Sequence, residues 1–123
     1  MIYNKSFTVI LDDLSEYIDT HDKLLLKEDM LQLAYKNYII DVGFYSKEFV
    51  LYVIKDHNWD IPIIKEFIQE NDIINRINKA CIEVLSICKW TITRSRKQLN
   101  AVAHQTINIK SVMSWYTVSY THL

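Results

Sequence analysis

The chain has 123 residues, of which 50% are hydrophobic and 24% charged, with 15 acidic and 14 basic side chains. This composition, with one glycine and one proline, excludes collagen-like, low-complexity and disordered proteins. The length suits a single domain, no apolar run is long enough for a spanning helix, and no signal peptide is recognisable at the N-terminus.

Two helices are predicted near the N-terminus. Apolar residues recur at helical spacing behind Ser6, a residue suited to capping, and this predicts a helix over about residues 7–19. A second helix is predicted over about residues 27–37, where Glu28 and Asp29 near the start suit the helix dipole.

The middle of the chain indicates an antiparallel sheet. Residues 38–45 and 48–55 are rich in β-branched and aromatic residues, and Ser46-Lys47 leaves room only for a tight turn between two strands. The second of these strands is apolar on both faces and is expected in the interior of the sheet. Residues 61–68 fit either a helical face or an edge strand. Because a two-stranded hairpin is marginal alone, a third strand is favoured.

The clearest helical pattern follows Asp72, where apolar residues keep the helical interval as far as Cys88. The predicted fold is therefore α+β, with N-terminal helices, a small antiparallel β-meander and a long amphipathic helix packed on one face. Cys81 and Cys88 would stand about 10 Å apart at ~1.5 Å per helical residue, too far for a disulfide. They are expected to be core residues in a reducing, cytoplasmic compartment.

Charge is distributed unevenly along the chain. Residues 1–88 contain all 15 acidic residues and 9 basic ones, a net charge of −6, whereas residues 89–123 contain five basic residues and no acidic one. We predict a single domain over 1–88, then a basic tail over 89–116 that either contacts nucleic acid or a membrane or lies outside the native reading frame. Residues 117–123 match a translated transposon-end adaptor of sequencing libraries, so the native C-terminus is expected to be missing.

Several kinds of site are excluded by the residues present. Gly43 is the only glycine, so a glycine-rich phosphate loop cannot form, and the four histidines lack zinc-ligand spacing. Residues 56–60 begin like a calcium loop, but Ile61 and Phe67 occupy the positions that need glycine and a bidentate glutamate. We therefore predict neither a cofactor nor a metal site.

Three consecutive segments carry a resemblance to a known group of proteins. The strand 40–45 reads I-D-V-G-F-Y, a hydrophobic strand follows over 49–56, and a W-x-x-P corner follows at 59–62. This pattern, within residues 38–88, is similar to small uncharacterised bacterial proteins, some of which resemble immunity proteins of polymorphic toxin systems. The resemblance implies a protein-binding module and assigns no catalytic residue.

The acidic body favours a binding function as well. A negative surface accelerates association with a basic partner, and toxin nucleases are often basic because they hold phosphates. The candidate binding residues are Asp41, Tyr45, Asp56, Trp59 and Asp60, expected to cluster at one end of the hairpin and the loop after it. An aromatic residue in a polar loop either fills the edge of the core, the favoured role for Trp59, or is exposed as the anchor, as the binding hypothesis requires. The predicted partner is thus a protein, such as a basic toxin domain, and neither nucleic acid nor a membrane.

An enzymatic alternative stays open. Asp56, His57 and Asp60 have the side chains needed for acid–base catalysis, with the carboxylates raising the pKa of the imidazole, in a fragment whose remaining catalytic groups are missing. This alternative predicts a concave pocket at the loop 56–60.

Overall fold

The computed structural model describes the backbone of residues 2–104 and the side chains of residues 2–90. Five strands form one antiparallel sheet whose order follows the chain, and the long helix comes at the end. The elements are β1 (Thr8–Asp12), α1 (Leu14–Thr20), β2 (Leu31–Tyr35), β3 (Tyr38–Tyr45), β4 (Glu48–Lys55), β5 (Ile64–Ile68) and α2 (Ile73–His104), with short 3-10 turns at Lys23–Leu25 and Glu70–Asp72. The predicted α+β class is confirmed at this level, but the order of helices and strands differs.

The predicted hairpin is confirmed. β3 and β4 pair without interruption from Tyr38 opposite Lys55 to Tyr45 opposite Glu48. Ser46 and Lys47 both have positive φ, 50° and 71°, as a two-residue hairpin turn requires. The third strand is also confirmed, because β5 pairs with β4 at one edge of the sheet.

The helix predicted over residues 7–19 is wrong in its first half. The apolar residues after Phe7 form β1, which pairs with β2, and only Leu14–Thr20 is helical. Asp12 ends the strand and starts the helix, since its carboxylate accepts hydrogen bonds from the backbone N–H of Ser15 at 2.9 Å and from the Ser15 hydroxyl at 2.6 Å. A short run of β-branched residues therefore ends where a capping carboxylate becomes available.

The second predicted helix, residues 27–37, is also wrong, because this segment contains β2. Leu31 and Leu33 lie two residues apart on one face and are fully buried, so the strand period fits them better than the helical one. Lys36, with φ of 53°, and Asn37 form a tight turn into β3. The neighbouring strand, and not the intrinsic propensity of the segment, decides its structure.

One face of the sheet, which we call the core face, forms the centre of the molecule. Alternate residues of the three inner strands point to it and are fully buried: Leu31, Leu33, Ile40, Val42, Leu51 and Val53. Each such side chain stabilises the fold by about 1.5–3 kcal/mol. α1 lies on this face, with the Tyr17 ring 5.7 Å from the Phe49 ring, and so does the start of α2, where Arg76 Nε donates to Glu66 at 2.8 Å.

The first twelve residues of α2 bury the amphipathic face that the sequence predicts, namely Ile73, Ile77, Ala80, Cys81 and Val84. Cys81 and Cys88 are free and buried, and burial raises the pKa of the Cys81 thiol to about 11. Within the described residues, no helix is long and apolar enough to cross a membrane.

The helix does not end at Cys88, because α2 continues to His104 and includes the first part of the predicted basic tail. The chain divides into two compact units, Met1–Val84 and Leu85–Leu123, and the second unit begins inside α2. The predicted domain limit at residue 88 stays a prediction. The predicted adaptor scar, 117–123, lies outside the described residues.

A close backbone approach holds the segment before β2 against β3. The amide of Phe44 donates to the Lys27 carbonyl at 2.9 Å, and the amide of Met30 donates to the Val42 carbonyl at 3.2 Å. Between them, a Cβ atom on Gly43 would lie only 1.7 Å from the carbonyl oxygen of Glu28. The glycine is therefore required for space, since its φ is not positive.

We expect Gly43→Ala to lower the free energy of unfolding by about 1–3 kcal/mol or more, because the added methyl group forces two backbone segments apart. Urea denaturation followed by circular dichroism measures the loss. Ala34→Val, which adds methyl groups to a half-buried position of the neighbouring strand, is the matched control and should change stability by less than about 1 kcal/mol. Equal effects of the two substitutions would contradict the close approach.

Candidate functional site

The face of the sheet opposite the core face, which we call the far face, contains a row of polar side chains. The strand register places Gln32 opposite Asp41, Asp41 opposite Tyr52, and Tyr52 opposite Lys65, so the row crosses β2, β3, β4 and β5. Both helices lie on the core face, as the Tyr17 and Arg76 contacts show. Of the four, Asp41 is buried, Gln32 and Tyr52 are half-buried, and Lys65 is exposed, so the row is a partly covered polar network.

Asp41 is the buried centre of this row. Its side chain is fully buried, with Gln32 Nε2 donating to Oδ2 at 3.0 Å and the Tyr45 hydroxyl donating to Oδ1 at 3.4 Å. Burial raises the pKa of Asp41 to about 6, helped by the charge of Asp29, whereas the hydrogen bonds from Gln32 and Tyr45 oppose the shift. Asp41, which the sequence predicts as a contact residue, therefore orients Gln32 and Tyr45 through hydrogen bonds and is itself not exposed to a partner.

Aromatic rings and one lysine form the outer half of the far face. The Tyr45 and Tyr52 rings meet edge to face at 5.8 Å, and Lys65 Nζ lies 5.7 Å from the Tyr52 ring centre and 5.9 Å from that of Phe67. Burial, followed by the nearby charge of Asp41, raises the pKa of the half-buried Tyr45 far above its ordinary value. Tyr45 thus stays a neutral hydrogen-bond donor at every physiological pH.

The other predicted contact residues lie elsewhere. Asp56 follows directly after β4, at the end of the hairpin away from its turn. Its amide donates to the Asn37 carbonyl at 2.8 Å, and its carboxylate accepts from Asn37 Nδ2 at 2.8 Å. Asp41 faces Tyr52, four residues before Asp56, so the two sites are separated by about 13 Å of strand at ~3.3 Å per residue. The five predicted residues form two groups, and the expectation of a single cluster is wrong.

The second group belongs to the connection between β4 and β5. Trp59 is 46% exposed and Asp60 is exposed, so this loop presents an aromatic side chain to solvent. Asp56, His57 and Asp60, which the enzymatic alternative uses, are exposed on a turn in which Asp56 and His57 have φ near 55°. Among the described residues, no three His, Cys, Asp or Glu side chains converge in a way that could hold a metal ion.

A depression of about 230 Å³ lies where α1 meets the start of α2, lined by Tyr17, Ile18, His21, Glu70, Asn71 and Ile74. The Tyr17 hydroxyl donates a hydrogen bond to the Glu70 carboxylate and thereby joins the two elements. This bond is the main reason why the pKa of Tyr17 is raised to about 12. The His21 ring lies 5.7 Å from the Tyr17 ring at the same place.

The elements that line this depression, together with their flanks, contain many acidic side chains. The acidic surface, as we define it, comprises α1 with its flanks and the turn before α2: Asp12, Asp13, Glu16, Asp19, Asp22, Glu70 and Asp72. Asp13 forms an ion pair with Lys27 at 2.5 Å, while Glu16 and Asp19 are exposed on α1. Sequence reasoning missed this surface, although five acidic residues between positions 12 and 22 were its visible sign.

Comparison with known proteins adds no relative, since no protein-family model, no curated protein and no solved structure matches the chain. The resemblance of residues 38–88 to immunity-type proteins therefore stays a prediction. The inference of function depends on the geometry of the described residues.

The buried carboxylate on the far face predicts a specific pH dependence of stability. The pKa of Asp41 is about 6 in the folded chain against an ordinary value of 3.8, so the protonated form is favoured by folding. The stability that this preference contributes is fully present below about pH 4. It is lost as the pH rises through about 6, and the loss is on the order of 2–3 kcal/mol.

We therefore expect wild type to lose stability relative to Asp41→Asn as the pH rises from 4 to 7, because asparagine has no charge to bury. Urea denaturation at several pH values measures the difference between the two proteins. Asp60→Asn, at an exposed position, is the matched control and should follow wild type. A constant difference between wild type and Asp41→Asn would contradict the shifted pKa.

Proposed function

We propose that this chain is a non-enzymatic protein-binding module that docks on a basic partner through the acidic surface around the Tyr17–Glu70 contact. The observation that supports this proposal is the concentration of seven carboxylates on α1, its flanks and the turn before α2, of which Glu70 lines the depression. Only Lys23 and Lys27 are basic within residues 12–27 and 70–72, so the surface has a clear negative excess.

The physical advantage of such a surface is the speed and orientation of association. A negative patch steers a positive partner toward it and raises the association rate constant by one to three decades at low salt. The depression gives the partner a concave surface, in which Ile18 and Ile74 lie beside the polar Tyr17, His21 and Glu70. An apolar floor with a few fixed polar groups is typical of the pocket in which a partner anchors a side chain.

The partner that fits best is a basic bacterial toxin domain, which makes this chain an immunity-type protein. A toxin nuclease needs positive charge to hold phosphates, and an acidic protein competes for the same surface. The resemblance of residues 38–88 supports the same class. We place the encounter in the cytoplasm, because two free cysteines suit a reducing compartment.

The test uses a basic toxin nuclease domain as the candidate partner. We expect Glu16→Lys with Asp19→Lys to lower the association rate constant at low salt about tenfold or more, since both carboxylates are exposed on α1. Stopped-flow or surface plasmon resonance measurements at several salt concentrations give the rate constant.

The matched control is Asp56→Lys with Asp60→Lys, which changes the net charge equally at two exposed positions beyond the other end of the hairpin. Equal losses in the two double variants would mean that only net charge matters, and a larger loss in the control would assign binding to the predicted loop residues. An association rate indifferent to salt would overturn the proposal. If the chain binds the partner but does not protect cells that express it, the immunity role is overturned while the binding function stands.

A further inference from the structure

The two edges of the sheet differ in how they are protected. β1 pairs with β2 through a shifted register between Val9 and Leu11, and such an irregularity discourages the pairing of a further strand. β5 pairs with β4 in a continuous register from Ile64 to Ile68. Among the described residues, no strand pairs with the outer edge of β5, so this edge presents backbone N–H and C=O groups to an incoming strand.

Exposed apolar side chains lie at both edges, Val9 and Ile10 on β1 and a larger group at β5. Of the exposed large apolar residues, four lie on β5 or directly before it: Trp59 at 46%, Ile61 at 73%, Ile63 at 44% and Phe67 at 64%. Monomeric proteins normally blunt an edge with charges, but here Lys65 bends over the rings of Tyr52 and Phe67. An edge with a continuous register and several exposed apolar side chains can accept an added strand.

We infer that two copies of this chain associate by pairing β5 with β5 in antiparallel orientation, which extends the sheet to ten strands. The two-fold axis passes through Glu66, the central residue of β5, because in this register all five residues of one strand pair with the five of the other. In this register Ile64 lies opposite Ile68 of the other copy, and Lys65 lies opposite its Phe67. The interaction of Lys65 with a phenyl ring, already present within one chain, is then repeated between chains.

A second copy fits this edge better than a basic partner because the edge has no net charge. Lys65 and Glu66 cancel, whereas the attraction for a basic protein lies at the acidic surface. The two Glu66 side chains on the axis would each have their own Arg76, whose Nη2 and Nε donate to the carboxylate.

The area available is sufficient for a specific interface. Aromatic side chains bury ~150–250 Å² each when fully covered, and Trp59 and Phe67 still expose about half of theirs. Together with Ile61, Ile63 and the edge backbone, counted for both copies, the buried area reaches the order of 1,000 Å² that a specific interface needs.

The test is the oligomeric state of the full chain in sedimentation velocity at about 100 μM, a concentration that fills a micromolar interface. We expect a dimer for wild type and a monomer for Phe67→Lys, which places a second cation opposite Lys65. Ile82→Lys, at a similarly exposed position of α2, and Ile10→Lys, on the β1 edge, are matched controls and should stay dimeric. Circular dichroism verifies the folding of each variant.

A cysteine on the axis tests the register. Facing Cα atoms of antiparallel strands lie about 4.5–5.5 Å apart, within the range of a disulfide, so Glu66→Cys should form a covalent dimer on mild oxidation while Asp60→Cys should not. A monomeric wild type, a dimeric Phe67→Lys, or dissociation by Ile10→Lys would each overturn the inference. A monomer that adds an extended peptide at β5 would assign the edge to another protein, which also overturns it.

Discussion

The backbone contact between Glu28 and Gly43 is the constraint on which the sheet depends. It fixes the point at which the chain arriving from α1 joins β3, and this point determines the register of β2. That register places Leu31 and Leu33 in the core and brings Gln32 opposite Asp41 on the other face. The absence of a side chain at Gly43 therefore determines both the packing of the core and the hydrogen bonds of the far face.

The molecule separates its charge from its apolar surface. Carboxylates gather on α1 and the turn before α2, where the Tyr17–Glu70 hydrogen bond joins two elements 53 residues apart. The largest group of exposed apolar side chains, four residues, lies on β5 or directly before it, and β5 has no net charge. The surface proposed for a basic partner thus lies on α1 and the turn before α2, whereas the edge proposed for a second copy lies on β5.

Local patterns were sufficient for some elements and insufficient for others. The hairpin, β5 and the start of α2 follow from a tight turn, a β-rich run and a sustained helical interval, all contained within their own residues. The apolar positions from Phe7 to Ile18 have helical spacing, yet those directly after Phe7 form β1, because pairing with β2 outweighs the spacing. The separation of Asp41 from Asp56 could have been predicted, since a two-residue turn fixes Asp41 opposite Tyr52. The contact of Tyr17 with Glu70 could not, because no local rule joins residues so far apart.

The chain-order meander has a consequence for how the domain assembles. Every strand pairs with the strand before or after it, so no crossover has to wait for a distant part of the chain. The entropy lost on closing each loop is small for the turns at Lys36-Asn37 and Ser46-Lys47, and largest for the segment that contains α1. Pairing between neighbours in the chain lowers the contact order and favours faster folding than a sheet of the same size with crossovers. Assembly can therefore spread outward from β3 and β4, and the outermost strand, β5, is among the last to acquire neighbours.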